Sequence, residues 1–281
     1  MTLKYFLPAL FIILFATSCS TDNDDTLTQI ETEGLIKIQD LVNDTHIVEL
    51  YNPPGEFKTG YNAIHIRIKD KTTNQYIENA AISWTPIMSM PTMNHSCPKS
   101  AITKVVGKET LYEGFIIYQM SNLDGTGWSL TINYTINDSA FSVTEPIIVM
   151  QNKKQHVTSF MGSDNNRYVL ALVEPKTPKI AVNKMKVALY KMENMMSFPV
   201  VENYTINLDP RMPGMGNHSS PNNKNLTFNN ADQMYYGDLS LTMTGYWVLN
   251  LKLFNAEKEL LKGEDVTADN TQSSLYLELE F

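Results

Sequence analysis

Cysteine and clustered positive charge are scarce in this chain of 281 residues. It has two cysteines, and 30 aspartates and glutamates outnumber 22 lysines and arginines, for a formal net charge of −8. An acidic chain without a basic cluster is a poor binder of nucleic acid, because the phosphate backbone attracts runs of Lys and Arg. The sequence also lacks a Gly-x-Ser-x-Gly elbow, a phosphate-binding loop and a His-Glu-x-x-His motif. It therefore predicts neither a nucleic-acid partner nor an enzyme.

The first 18 residues have the features of a secretory signal peptide. Lys4 supplies positive charge, and residues 5–16 form an apolar run shorter than the roughly 20 residues of a membrane span. Cys19 follows small residues where cleavage is expected, which resembles the lipobox of bacterial lipoproteins. The resemblance implies that Cys19 is acylated; the alternative is an ordinary secretory signal with an incidental cysteine. With Cys19 acylated, Cys97 has no partner for an intramolecular disulfide.

Residues 20–26 are polar and acidic, which is typical of a solvated tether, and we predict that the tether occupies residues 19–32. An acidic stretch behind a lipidated cysteine also resembles the surface-export signal of some Gram-negative phyla. We therefore expect an extracytoplasmic protein that is lipid-anchored to the outer membrane, on its periplasmic face or at the cell surface.

Alternation of apolar and polar residues dominates the rest of the chain, and no long stretch has a helical period. The pattern predicts β-strands with one wet face. It is clearest at Ile64, Ile66 and Ile68 and at Trp128, Leu130, Ile132 and Tyr134. We predict an all-β fold of two tandem immunoglobulin-like β-sandwich domains, at residues 33–150 and 166–281, joined by a linker at 151–165.

One short motif occurs twice. Residues 90–98 and 212–221 both read Met-Pro-x-Met followed by Asn-His-Ser-x-Pro, with Gly216 as an extra residue in the second copy. A constant offset then continues downstream. It relates Tyr112, Gly114 and Met120 to Tyr235, Gly237 and Met243, and each copy next reaches a tryptophan. A spacing held over so long a stretch predicts a duplicated domain.

The repeated motif contains soft metal ligands. A thioether is a soft, neutral ligand and imidazole a borderline one, and together they suit Cu(I) better than zinc, calcium or magnesium. The predicted ligand sets are Met90, Met93 and His95 in the first copy and Met212, Met215 and His218 in the second. Possible additional ligands are Met88, Cys97, Met120 and Met243. Methionine is also an adaptable core residue, and for Met120 and Met243 we favour packing.

The second copy resembles the YtkA-like family, to which FixH-like proteins are related. The resemblance rests on Met212-Pro213-Gly214-Met215 with His218, on Tyr235-Tyr236-Gly237 and on Gly245-Tyr246-Trp247. The first copy departs from it, with Thr92 in place of the glycine and a longer turn at 121–127. The resemblance implies a small extracytoplasmic β-sandwich and a link to copper handling or oxidase assembly, and it supplies no reaction.

Two hypotheses follow, from different classes of function. The first is a lipid-anchored Cu(I)-binding protein in copper handling or delivery, with a copper-acceptor protein as partner. The second is a surface or periplasmic binding module whose loops contact a protein or glycan without metal. A third methionine cluster, at 192–196, is predicted to be a hydrophobic or partner-contact loop. His46, His65 and His156 are predicted to lie on the surface.

Overall fold

Alternating apolar residues form the strands of this computed structural model, which describes residues 31–123 and 125–281. In the strand Gly60–Asp70 the three isoleucines predicted to face inward are fully buried, and the residues between them are half-buried. The inward-facing residues of Gly127–Ile136 are buried in the same way. The described residues contain no α-helix and one short 3-10 turn. The predicted all-β class is confirmed.

The first strand set lies between residues 36 and 150. Its eleven strands are β1 (Ile36–Val42), β2 (His46–Asn52), β3 (Phe57–Lys58), β4 (Gly60–Asp70), β5 (Ala81–Ser89), β6 (Asn94–His95), β7 (Thr103–Lys104), β8 (Tyr112–Tyr118), β9 (Gly127–Ile136), β10 (Ser139–Ile147) and β11 (Val149–Met150). Five strands form a sheet in the order β1-β2-β4-β8-β7, and four form another in the order β10-β9-β5-β6. The short strands β11 and β3 pair in parallel.

The second strand set lies between residues 157 and 280. Its strands are β12 (Val157–Met161), β13 (Arg167–Glu174), β14 (Ala181–Met192), β15 (Thr205–Met212), β16 (His218–Ser219), β17 (Lys224–Asn229), β18 (Met234–Leu241), β19 (Tyr246–Phe254), β20 (Leu260–Lys262) and β21 (Tyr276–Glu280), with the 3-10 turn at Pro213–Met215. The run β12-β13-β14-β18-β17 follows the chain in the same pattern as β1-β2-β4-β8-β7. The run β21-β19-β15-β16 likewise matches β10-β9-β5-β6. A short pairing of β15 with β17 joins the second set into one folded-over sheet.

Each strand set surrounds its own apolar core, so the sheets pack as sandwiches. Each core contains a fully buried tryptophan, Trp128 in the first set and Trp247 in the second. A third apolar cluster joins the two sets, where Ile117 of β8 meets Val169 and Tyr190. Residues 31–281 consequently form one compact unit.

The segment between the two cores is ordered. Residues 151–165, predicted to be a linker, contain β12, which pairs with β13 along its whole length and buries Phe160. The Gln155 N–H donates to the Glu278 carboxylate at 2.7 Å, which fixes the segment to the last strand. The second strand set therefore begins before residue 166.

The predicted tether at 19–32 is described only at its end. There the Glu31 carboxylate accepts a hydrogen bond from the Thr110 N–H at 3.1 Å and lies 3.9 Å from the Arg67 guanidinium. The predicted signal peptide at 1–18 and Cys19 lie outside the described residues. Within the described part of the chain, no helix has the length and apolarity to cross a membrane.

Candidate functional site

The first copy of the motif forms a tight hairpin between β5 and β6, which we call the first hairpin (residues 88–95). Met88 pairs with His95 and Ser89 pairs with Asn94 in antiparallel register. The Met90 N–H then donates to the Met93 carbonyl at 3.0 Å, which continues the ladder to the tip. The proline of the motif lies beyond this last pair, where no ladder donor is needed.

The soft ligands of the first hairpin share one face. Residues directly opposite each other in an antiparallel ladder point to the same side, and so do residues two apart along a strand. Both conditions are satisfied by the set Met88, Met90, Met93 and His95. Exposure increases along this face, because Met88 is fully buried, Met90 packs at the margin of the core and Met93 is 46% exposed. The face leads from the core to solvent.

The imidazole of His95 is held by the backbone and by an indole ring. Its Nδ1 lies 2.8 Å from the Ser96 carbonyl, which can only accept, so Nδ1 carries a proton, and in the neutral ring the lone pair is on Nε2. The ring packs edge-on against Trp128, with the two centroids 5.6 Å apart. A histidine that ligates a metal through one nitrogen commonly donates the other N–H to a carbonyl in this way. The donor set of neutral thioethers and one imidazole fits Cu(I).

Cys97 lies deeper than the other sulfur groups. It is buried in the same cluster as Met88, and burial raises the pKa of its thiol well above the usual value. The thiol therefore stays neutral at physiological pH. As a metal ligand it would have to lose a proton, whereas the methionines would not.

The second copy of the motif forms a related hairpin between β15 and β16, the second hairpin (residues 212–218). Met212 pairs with His218, as Met88 pairs with His95 in the first hairpin. Met212 is buried, and its Cε would lie 3.2 Å from a Cβ placed on Gly245. The tip differs, because a 3-10 turn over Pro213–Met215 ends at Gly216 in the left-handed conformation. Met215 at this tip is 57% exposed, and His218 is exposed as well.

Strand pairing and sequence likeness match the two copies differently. Alignment of the repeated motif matches Met90 with Met212. In the strand pairing, however, Met88 is the residue that corresponds to Met212, because each is paired with the histidine of its hairpin. Six residues separate the paired methionine and histidine in the first hairpin, and five do so in the second. The first hairpin consequently has two further methionines near its tip, at Met90 and Met93, and the second has Met215 alone. The first copy is richer in soft ligands.

Met120 and Met243 lie beside the cores at equivalent places. Both side chains are partly buried and pack against the apolar cluster of their own strand set. Their carbonyls accept the indole N–H groups of Trp128 at 2.8 Å and Trp247 at 3.1 Å. Packing and backbone hydrogen bonding account for both residues without a metal.

Sequence reasoning missed one neighbour of the first hairpin. The Ser96 N–H donates at 2.8 Å to the carbonyl of Met195, which belongs to the third methionine cluster and to the other strand set. Met196 lines a cavity together with Cys97. No local pattern in the sequence indicates that these segments meet, because almost one hundred residues separate them.

The prediction that His46 lies on the surface is wrong. His46 is 5% exposed and packs edge-on against the rings of Tyr134 and Phe141, at centroid distances of 5.5 and 4.7 Å. Burial lowers its pKa, although the nearby Asp70 carboxylate acts in the opposite direction. His65 and His156 are half-buried, and burial lowers the pKa of each.

Clusters of the more common metal-binding side chains are a second kind of candidate site. Within residues 31–123 and 125–281, no three His, Cys, Asp or Glu side chains form a group that could hold a metal ion. The candidate ligands of the two hairpins are instead methionines together with one histidine each. No protein-family model matches this chain, and no curated protein matches its sequence at a significant level.

Proposed function

We propose that the protein is a lipid-anchored, extracytoplasmic Cu(I)-binding protein in copper handling or delivery. One observation carries the proposal: in each hairpin a buried methionine stands directly opposite a histidine, as Met88 does to His95 and Met212 to His218. Packing alone makes no demand for imidazole at the margin of a core. Two thioether–imidazole pairs at matching places favour a shared ligand.

The proposal includes two tandem immunoglobulin-like domains that arose by duplication. It also includes the resemblance of these domains to the YtkA-like family. The matching strand orders of the two sets support it. So do matching anchors: the Tyr112 hydroxyl donates to the Glu78 carbonyl at 2.6 Å, and the Tyr235 hydroxyl donates to the Val201 carbonyl at 2.8 Å. Both hydroxyls reach a carbonyl 34 residues upstream in the chain, so the two contacts are equivalent.

A carrier role agrees with the ligand chemistry. Neutral thioethers bind Cu(I) without releasing protons, so the imidazole is the one group of each set that competes with protons for the metal. Met93 is 46% exposed at the tip of the first hairpin, where an incoming protein ligand can replace it. We therefore propose a copper-acceptor protein as partner and binding, rather than catalysis, as the activity. Cys19 would hold the protein at the outer membrane.

A second candidate is a binding module that uses no metal. Met93, Met195 and Met196 are each more than 40% exposed, and they belong to segments that touch through Ser96. Flexible methionines on a surface suit contact with a protein partner. This alternative predicts no tight metal binding.

Anaerobic titration with Cu(I) against a chromophoric chelator separates the two candidates. We expect two equivalents in the unaltered protein and one equivalent in a His218→Ala, Met215→Leu variant. A Met161→Leu variant is the matched control, since Met161 is 49% exposed and lies away from both hairpins in β12. Binding no tighter than that of a weak chelator would exclude the copper proposal and favour the binding module.

A further inference from the structure

The methionine turn, residues 193–197, belongs to the second strand set but contacts Ser96, the residue that follows the first hairpin. It follows β14, and the carbonyl of Met195 accepts the Ser96 N–H at 2.8 Å. Ser96 adjoins His95 and is fully buried, with its hydroxyl donating to the Pro86 carbonyl at 2.8 Å. The backbone of the methionine turn is thus fixed one residue from the imidazole of the first hairpin.

Hydrogen bonds within the turn hold its shape. The Glu193 N–H donates to the Ser197 carbonyl at 3.1 Å, and the Met196 N–H donates to the Asn194 side-chain oxygen at 2.8 Å. The Ser197 hydroxyl also donates to the Glu193 carboxylate at 3.0 Å. A turn closed in this way keeps Met195 and Met196 outside the core, where they are 43% and 49% exposed.

The turn has no methionine counterpart in the first strand set. The matching connection there, residues 71–80 between β4 and β5, contains no methionine. Two thioethers therefore occur in the connection whose backbone contacts Ser96, the residue after the first hairpin. Exposed neighbouring methionines are costly for solubility unless they bind something.

We propose that the first metal site is a composite of the two strand sets, in which Met195 or Met196 adds a thioether to the Met/His face of the first hairpin. The inference rests on the proposed copper function and goes beyond it. It makes the two sites unequal, with the tighter site at the first hairpin. It also means that bound metal ties the second strand set to the first.

The test is a Cu(I) titration of the full chain in detergent, comparing a Met195→Leu, Met196→Leu variant with the unaltered protein. We expect the affinity of one equivalent to fall at least tenfold and that of the other to stay unchanged. The control is Met150→Leu, Met161→Leu, which replaces two methionines of similar exposure, 50% and 49%, elsewhere. The loss should persist in a His218→Ala background and disappear in a His95→Ala background. Unchanged affinity in the methionine-turn variant, or an equal loss in the control, would overturn the composite site alone.

A second measurement needs no substitution. Ag(I), a redox-inert substitute for Cu(I), is added before mild oxidation of methionines by peroxide, and the products are mapped by mass spectrometry. We expect protection of Met93 together with Met195 or Met196, and none of Met150 or Met161. Protection of Met93 without either residue of the methionine turn would refute the composite site. If the unaltered chain binds neither Cu(I) nor Ag(I), the proposed copper function is wrong, and the composite site is wrong as well.

Discussion

Met88 lies directly opposite His95 in the β5–β6 ladder, and the next strand places Trp128 opposite Met88. The thioether is therefore flanked by an imidazole on one side and an indole on the other. The Nδ1 atom of this imidazole lies 2.8 Å from the Ser96 carbonyl.

Replacing Met88 with leucine tests whether strand pairing or sequence likeness identifies the ligand. Leucine keeps most of the volume and costs below about 1.5 kcal/mol of stability, so the fold should survive. We expect Met88→Leu to weaken Cu(I) binding at the first hairpin at least tenfold, and Met90→Leu to weaken it less. Chelator competition measures both, with thermal unfolding as the check on folding. A larger effect of Met90→Leu would favour the alignment of the repeated letters.

Gly114 and Gly237 should not tolerate a methyl group. A Cβ on Gly114 would lie 2.8 Å from Cζ2 of Trp84, and one on Gly237 would lie 2.5 Å from the Lys224 carbonyl. We expect Gly114→Ala and Gly237→Ala each to lower the free energy of unfolding by about 1–3 kcal/mol, measured by urea denaturation. Gly214→Ala is the control, because nothing lies within 4 Å of its added Cβ. A neutral result at Gly237 would contradict the close backbone approach.

The two buried tyrosines should have matching roles. Tyr112 also accepts the Ala80 N–H at 2.9 Å, and Tyr235 accepts the Tyr204 N–H at 3.3 Å. Each hydroxyl thus satisfies one backbone donor and one backbone acceptor. We expect Tyr112→Phe and Tyr235→Phe each to cost about 1–3 kcal/mol in urea denaturation, because they leave these groups unpaired. If the two losses in the free energy of unfolding differed by more than about threefold, the two hydroxyls would not have equivalent roles.

Glu49 should make stability depend on acidity. Burial raises the pKa of its carboxyl, but hydrogen bonds from Lys37 at 2.6 Å and Tyr51 at 2.7 Å outweigh burial, so the pKa is lowered overall. A lowered pKa in the folded state stabilises the protein above the unfolded-state value of about 4.3, and the contribution is lost as pH falls through the folded-state pKa.

We therefore expect Glu49→Gln to destabilise the protein at pH 7, and the difference from the unaltered protein to shrink below about pH 4. Urea denaturation across this pH range measures the change. Glu257→Gln, at an exposed position, is the control and should have no such dependence. A difference that stays constant down to low pH would show that Glu49 acts through packing alone.

Much of the secondary structure could be predicted because burial follows a simple alternation. The isoleucines of β4 and the aromatic and aliphatic residues of β9 face inward as their period-two pattern indicates. His46 could not be placed this way. It begins β2, where neighbouring residues on both faces are buried, and its partners Tyr134 and Phe141 come from distant strands.

The candidate site could be located but not laid out from the sequence. The repeated sequence motif identifies both hairpins. The register of the strand pairing, however, depends on the number of residues in each tip, and it pairs Met88, not Met90, with the histidine. The contact between Ser96 and Met195 joins two strand sets through one backbone hydrogen bond. A hydrogen bond between two backbone groups does not require particular residue types, so the sequence does not indicate it.

The position of β12 bears on how this protein can be divided. β12 covers one edge of β13, and a fragment that starts at residue 166 would lose it together with the buried Phe160. The uncovered strand would present a row of free N–H and C=O groups, which recruits strands from other molecules. Such a fragment would aggregate, whereas one that starts at residue 151 keeps the edge covered and retains the Gln155–Glu278 hydrogen bond.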